Sequence, residues 1–159
     1  DGPGGVIVAT DAAWVSGPLP VTRSGIYLGE HYDARAEGQA ATAGVEVLAF
    51  ELSRLVPHEC APVRELPPLA PVESWQDEAG RWTHDFGQNC AGVVRFTVTG
   101  RAGARVVVEH SEVMAPGRTW DNRNYRSAEA RIDYTLKDGT QTWQPTFTFM
   151  GYRYARVTI

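Results

Sequence analysis

The chain has 159 residues, 43% hydrophobic and 21% charged, with a formal net charge of −4. That is one ordinary domain's worth of chain, long enough to bury most of its unfolded surface. The acidic balance speaks against a nucleic-acid partner, no apolar run reaches the roughly 18 residues of a membrane helix, and five Trp, six Tyr and five Phe spread along the chain argue against disorder.

Strand signals dominate from the start. Val6, Ile7 and Val8 predict a short strand over Gly5–Ala9, and further strands are predicted over Ser24–Leu28 and Val45–Phe50, with the turn-prone Gly17-Pro18-Leu19-Pro20 between the first two. Gly38–Val45 is the best helical candidate, Ala-rich but short and flanked by Gly; no segment sustains a 3.6-residue apolar period. Pro57, Pro62, Pro67 and Pro68 make Arg54–Leu69 an extended crossing segment, since none of them suits a helix interior or a central strand.

Trp75–Trp82 reads as a hairpin turning at Asp77-Glu78-Ala79-Gly80. Alternation puts Val94, Phe96 and Val98 on one face of Val93–Thr99, and Val106 and Val108 on one face of Arg105–His110. The Gly100-Arg101-Ala102-Gly103 link between them predicts an antiparallel hairpin. Arg131–Leu136 carries Ile132, Tyr134 and Leu136 on one face and runs into a second expected hairpin turn, Lys137-Asp138-Gly139-Thr140. Thr142–Phe149 and Tyr152–Ile159 complete the set. Strands every 8–12 residues or so with turn signals between them predict an all-β sandwich or barrel. Cys60 and Cys90 are too few for a four-ligand metal framework; one disulfide and two free thiols are both open, so cysteine usage does not fix the compartment.

Five blocks carry a family resemblance. Asp85-Phe86-Gly87-Gln88-Asn89 followed by Ala91-Gly92-Val93-Val94-Arg95, then His110-Ser111-Glu112-Val113-Met114, Asn124-Tyr125-Arg126-Ser127-Ala128, Pro145 to Tyr154 (PTFTFMGYRY), and Gly29-Glu30-His31-Tyr32-Asp33-Ala34-Arg35 occur in this chain. Together they resemble the bacterial α-L-rhamnosidases of glycoside hydrolase family 78, over about residues 24–159. The chain departs from that pattern in 36–58, which lacks the family's Trp residues, and at Met150, where the family often has His.

The resemblance implies an antiparallel β-sandwich of jelly-roll, concanavalin-like type. Residues 1–35 would be closing strands and a link from a preceding β-sandwich, and residues 36–159 the concanavalin-like sandwich, with its core at about 60–159. It implies a non-catalytic accessory domain of a rhamnosidase-like enzyme that hydrolyses terminal α-L-rhamnosides with inversion. Its partners would be the catalytic (α/α)6 barrel and the preceding sandwich of the same chain. On this reading Asp1 and Ile159 are cuts, one inside a sandwich and the other before the barrel. No cofactor is implied.

Read as chemistry, the residues agree. Glycoside hydrolysis needs two carboxyl groups, about 5–5.5 Å apart for retention or about 6.5–9.5 Å for inversion. Glu109 with Glu112, and Asp85 beside His84, are pairings that sequence alone gives little weight, and no catalytic residue is assigned. Ser111 follows His110 directly, but alternation turns neighbouring strand side chains to opposite faces. The four His show no metal-ligand spacing, and no metal site is assigned, although Asp121 and Asn122 have the oxygens that Ca²⁺ takes. The alternative function is an autonomous carbohydrate-binding module for L-rhamnose or a related sugar. Its candidate residues are Trp120, Asp121, Asn122, Asn124 and Arg126, an aromatic face among polar groups in an expected loop. Asp85, Asn89 and Gly87 read as a structural turn. Phe147, Phe149, Tyr152 and Tyr154 read as sandwich or interface packing, and Arg153 as stacking or pairing with a carboxylate.

Overall fold

The structure, a computed structural model, describes residues 4–5 and 8–159. It contains β1 (Val15–Ser16), β2 (Val21–Gly25), β3 (Gly29–Asp33), β4 (Ala43–Gly44), β5 (Glu73–Gln76), β6 (Trp82–Gly92), β7 (Phe96–Gly100), β8 (Arg105–Ser111), β9 (Val113–Ala115), β10 (Thr119–Asp121), β11 (Arg131–Thr135), β12 (Gly139–Trp143) and β13 (Met150–Thr158), with four short 3-10 turns. It divides into two compact units, Asp1–Pro18 with Gly38–Pro68, and Leu19–Glu37 with Leu69–Ile159. That division differs from the expected boundary between residues 35 and 36, because the segment holding β2 and β3 groups with the C-terminal residues.

In the first unit β1 pairs antiparallel with β4. The expected helix over Gly38–Val45 is absent: the chain there is extended and ends in the two-residue β4. Val45–Phe50 forms no strand either. Its Val47, Leu48 and Phe50 are exposed, with no neighbouring strand to complete a ladder. Arg54–Leu69 is irregular after one 3-10 turn at Leu52–Arg54, as the prolines require. Val6 and Ile7 of the first expected strand lie outside the described residues. Cys60 here and Cys90 in the second unit are both free thiols.

The second unit is the sandwich. Its large sheet has the order β2-β3-β11-β8-β13-β6-β5, and a small sheet pairs β12 with β7. Every pairing is antiparallel except β3 on β11, which is parallel, so the large sheet is mixed. β2 starts and ends earlier than the expected strand at Ser24–Leu28; Ile26–Leu28 instead make the turn into β3, closed by Leu28 N–H donating to Gly25 C=O at 3.0 Å. The Asp77–Gly80 hairpin is as read, with the Asp77 carboxylate accepting from Ala79 N–H and Arg81 N–H.

Both other expected hairpins are corrected. β7 pairs with β12 and β8 pairs with β11 and β13, so the links at Gly100–Ala104 and Leu136–Asp138 are arches that carry the chain from one sheet to the other. The arches hold each other: Gly103 N–H donates to Leu136 C=O, Leu136 N–H to Ala104 C=O, and Ala102 N–H to Asp138. Gln141, nearly buried, fastens the second arch by accepting from Lys137 N–H and donating to the carbonyls of Lys137 and Gly139.

The core lies between the sheets. Val106, Val108, Ile132, Tyr134, Leu136, Met150, Tyr152 and Ala155 are buried in it. Tyr134 is its aromatic centre, stacked on Tyr32 at 5.4 Å, edge-on to Phe96 at 5.5 Å and tilted against Trp143 at 4.9 Å, the last two from the small sheet. Such pairs add about 0.5–1.5 kcal/mol each beyond their buried area. The pleat sends alternate residues of the same strands to the outer face. There Asp133 lies between Arg105 and Arg131, and Arg156 is paired with Glu109.

The parallel β3–β11 junction allows no side chain at Gly29. Its φ is +69°, and a Cβ there would lie 1.7 Å from Arg131 C=O. Gly29→Ala is therefore expected to cost at least about 3 kcal/mol. Gly92→Ala, a site with open space, should stay within about 0.5 kcal/mol of the parent. Urea unfolding of the two variants side by side checks this.

Candidate functional site

The residues of the five blocks are consumed in holding strands and loops together. Asp85 accepts from Gly87 N–H at 2.7 Å across the tight turn that Gly87 permits with its φ of +76°. It also accepts two guanidinium bonds from Arg153, both at 2.8 Å. The Arg153 guanidinium holds the Asp85 carboxyl below the usual carboxylate range, and it also lies 5.0 Å over the Tyr154 ring, so it both pairs and stacks. Glu30, buried, accepts from Thr146 N–H at 3.1 Å and from Phe147 N–H at 2.7 Å. Glu112 accepts from the side-chain amides of Asn89 (3.2 Å) and Asn124. Tyr125 O–H donates to Gly151 C=O at 2.6 Å. Three blocks thus meet on the Glu112 carboxylate, and a fourth is tied to them by Tyr125.

His110 is fully buried, its Nδ1 2.7 Å from Ala130 C=O and its ring edge-on to Tyr152 at 4.8 Å. A carbonyl at that distance requires the proton on Nδ1, and Nε2 is buried with no partner among the described residues. Burial pulls the imidazole pKa down to about 4. Ser111 Oγ sits between the carbonyls of Val113 (2.7 Å) and Asp121, at the base of the β9–β10 hairpin. Neither residue forms a nucleophile and base with the other. Glu109 is likewise taken by Arg156, and Glu112 by the two amides, so the carboxylate pairings considered from the sequence are structural.

The five candidate sugar-contacting residues separate. Trp120 lies on β10 opposite Met114, half-buried, with the Arg156 guanidinium 4.3 Å over its ring. Its Nε1–H is buried without an acceptor among the described residues. Asp121 turns the other way: its carboxylate takes Nε and Nη2 of Arg123 at 2.9 and 2.7 Å and the Arg123 N–H at 3.1 Å, which together hold its pKa at about 2. Those oxygens are committed to Arg123 rather than offered to Ca²⁺. Among the described residues no group of three His, Cys, Asp or Glu is gathered to hold a metal ion. Asn122 precedes the 3-10 turn Arg123–Tyr125 and its carbonyl accepts from Tyr125 N–H. Asn124 is bound by Glu112. Arg126 is exposed at a left-handed φ of +53°.

Trp120 instead meets residues that the sequence reading passed over. The register sets Trp75, Thr83, Arg156 and Glu109 side by side across β5, β6, β13 and β8, on the outer face of the large sheet. Above Trp75, Thr83 and Arg156 opens a cavity of about 360 Å³, walled by the β9–β10 hairpin (Met114, Arg118, Thr119, Trp120) and by the Asp77–Arg81 turn. The row joins residues up to 81 positions apart (156 less 75), so no local motif announces it.

Residues 76–159 match the family model described as the bacterial alpha-L-rhamnosidase concanavalin-like domain. The alpha-L-rhamnosidase of Streptomyces avermitilis is 36% identical over 156 residues, covering 91% of this chain and 15% of that protein. That of Alteromonas sp. (strain LOR) is 30% identical, covering 96% and 18%. Among solved structures, the Streptomyces avermitilis alpha-L-rhamnosidase complexed with L-rhamnose superposes with a TM-score of 0.85 at 33% identity, over 95% of this chain and 16% of that one. The Aspergillus terreus alpha-L-rhamnosidase superposes with a TM-score of 0.84 at 32% identity, over 94% and 18%. The chain spans 15–18% of the length of the curated relatives it matches.

His110 makes stability depend on pH. The folded state keeps the ring neutral down to about pH 4, whereas the unfolded chain protonates it near its ordinary 6.5. Stability is therefore full above about pH 6.5 and falls with acidification to about pH 4, by roughly 3 kcal/mol. His110→Gln should flatten that limb, which urea midpoints taken across the window would reveal.

Proposed function

From the premise that this chain belongs to the bacterial α-L-rhamnosidase concanavalin-like domain family, we propose that it is a non-catalytic β-sandwich domain of a longer rhamnosidase. In that enzyme it would support and shape a catalytic barrel that hydrolyses terminal α-L-rhamnosides with inversion. The observation that carries this reading is the fate of the block carboxylates. Glu30, Asp85 and Glu112 are spent on backbone N–H groups, a guanidinium and side-chain amides of the same chain. General acid and base catalysis needs carboxyl groups held free beside the substrate.

A surface feature supports the structural role. Ile26, Tyr27, Leu28, Phe147 and Phe149 are all exposed, Phe147 and Phe149 to 55% and 56%. Their two loops are fixed together: Thr148 O–H donates to Gly25 C=O at 3.0 Å, and Glu30 holds the N–H groups of 146 and 147. Large apolar side chains on a rigid rim suit contact with another domain, and we take the barrel as their partner in the full enzyme. For the domain assignment we keep residues 1–35 with a preceding sandwich and 36–159 as the concanavalin-like sandwich, except that β2 and β3 count with the latter, whose large sheet they join. A second reading, sugar contact, is favoured by Trp120 alone of the five candidate residues, because it lines the outer-face cavity.

On this proposal the purified chain shows no turnover of an aryl α-L-rhamnoside, and turnover that survives repeated purification overturns it. Phe147→Ser with Phe149→Ser should change the stability of the isolated chain by no more than about 0.5 kcal/mol. In a full-length rhamnosidase carrying this domain the same pair should cost about 1–3 kcal/mol by losing buried apolar area. Parallel thermal unfolding compares the two.

A further inference from the structure

We propose that the cavity on the outer face of the large sheet binds one neutral pyranose unit. This deepens the sugar-contact reading and draws on the rhamnosidase reading only for the choice of probe.

The floor is built, not incidental. Trp75, Thr83 and Arg156 stand side by side because β5, β6 and β13 pair in that register. Arg156 is nine-tenths buried, with Nε and Nη2 both on Glu109, so its position is fixed before any ligand arrives. Trp120 closes the opposite wall with its ring under the same guanidinium. The tip of the β9–β10 hairpin is held in left-handed backbone at Gly117 (φ +73°) and Arg118 (φ +60°). A non-glycine residue is disfavoured in that region and persists where its surroundings hold it there. Here Arg118 lies 4.6 Å over the Trp75 ring and bonds Glu73 at 2.5 Å.

The chemistry selects the class of ligand. Each lining guanidinium has a carboxylate partner: Arg81 with Asp77, Arg118 with Glu73, Arg156 with Glu109. Glu78 is the lining charge that has no ion-pair partner among the described residues. An anionic sugar would bring its carboxylate into a site with no unpaired cation and one unpaired carboxylate. A neutral polyhydroxyl ligand meets alternating donors and acceptors, with indole and Met114 surface for its C–H face. At about 360 Å³ the cavity stands at the small end of the ligand-site range of about 300–1,000 Å³, which suits a single ring rather than an oligosaccharide.

The test follows the five indole N–H resonances, those of Trp14, Trp75, Trp82, Trp120 and Trp143, while the chain is titrated with methyl α-L-rhamnopyranoside. Saturable shifts at millimolar sugar are expected at Trp75 and Trp120 and not at Trp14 or Trp143. Sodium galacturonate should bind at least tenfold more weakly. Trp75→Ala should weaken the neutral sugar at least tenfold. Arg118→Ala, which leaves both indoles in place, should weaken it several-fold and serves as the measure if Trp75→Ala unfolds. No saturable shift up to about 100 mM sugar overturns the inference, and so does equal or tighter binding of galacturonate. Shifts centred on other tryptophans overturn it as well. An inactive chain that binds no sugar would leave the non-catalytic reading standing and remove this one alone.

Discussion

The sandwich depends on one buried carboxylate. Glu30 is 1% exposed and has no cationic partner among the described residues; its oxygens face two successive backbone N–H groups, those of Thr146 and Phe147. Burying a carboxylate costs several kcal/mol unless charge-assisted bonds replace its water, and bonds to backbone N–H groups are of that strong kind. This contact joins segments 116 residues apart. It sets the loop before β13 against the start of β3, where β3 runs parallel to β11 over a glycine at which no side chain fits. The loop that carries the exposed Phe147 and Phe149 is held beside β3 by it.

The two faces of the large sheet have different physics. The inner face is held by apolar area and by the aromatic cluster around Tyr134. The outer face is a lattice of guanidinium–carboxylate pairs, with Arg105 and Arg131 on Asp133 and Arg156 on Glu109. In each of these pairs one partner is about nine-tenths buried, Asp133 in two and Arg156 in the third, so the pairs fix geometry as well as balance charge. They stiffen long side chains and leave the charge locally balanced. The family blocks run through β3, β6, β8, β9 and β13 and the loops beside them, where they fasten the fold. The cavity residues Trp75, Arg118 and Arg156 lie outside those blocks.

Much of this was legible in the chain. Alternation marked the core faces of β8 and β11 through Val106, Val108, Ile132 and Tyr134, and the ordered blocks pointed to the family. The arches were not legible, because Gly100–Gly103 and Asp138–Gly139 have the same residue chemistry whether a chain doubles back in one sheet or crosses to another. Only the partners of Leu136, Ala104 and Gln141 decide between the two, and these are tertiary contacts. The geometry of the sugar candidates was hidden for a related reason. Asp121, Asn122, Asn124 and Arg126 have the right groups, but Asp121 is neutralised by Arg123 two residues on, and Asn124 by Glu112 twelve residues back. Val45–Phe50 has strand-like composition, yet a strand needs a neighbour that sequence alone does not supply.

The position of β13 has a consequence for biosynthesis. It is the last strand of the sandwich in chain order, yet it lies inside the large sheet between β8 and β6. Until it leaves the ribosome, the β8 edge and the β6 edge that it will join have no ladder to close on. A nascent chain of this domain therefore waits with open strand edges, the condition in which sheet proteins are most exposed to mispairing and aggregation. Its pairings are long-range, which slows closure once the strand arrives. Synthesis paused shortly after β13 has emerged would favour correct assembly, whereas a pause just before it would prolong the exposed state.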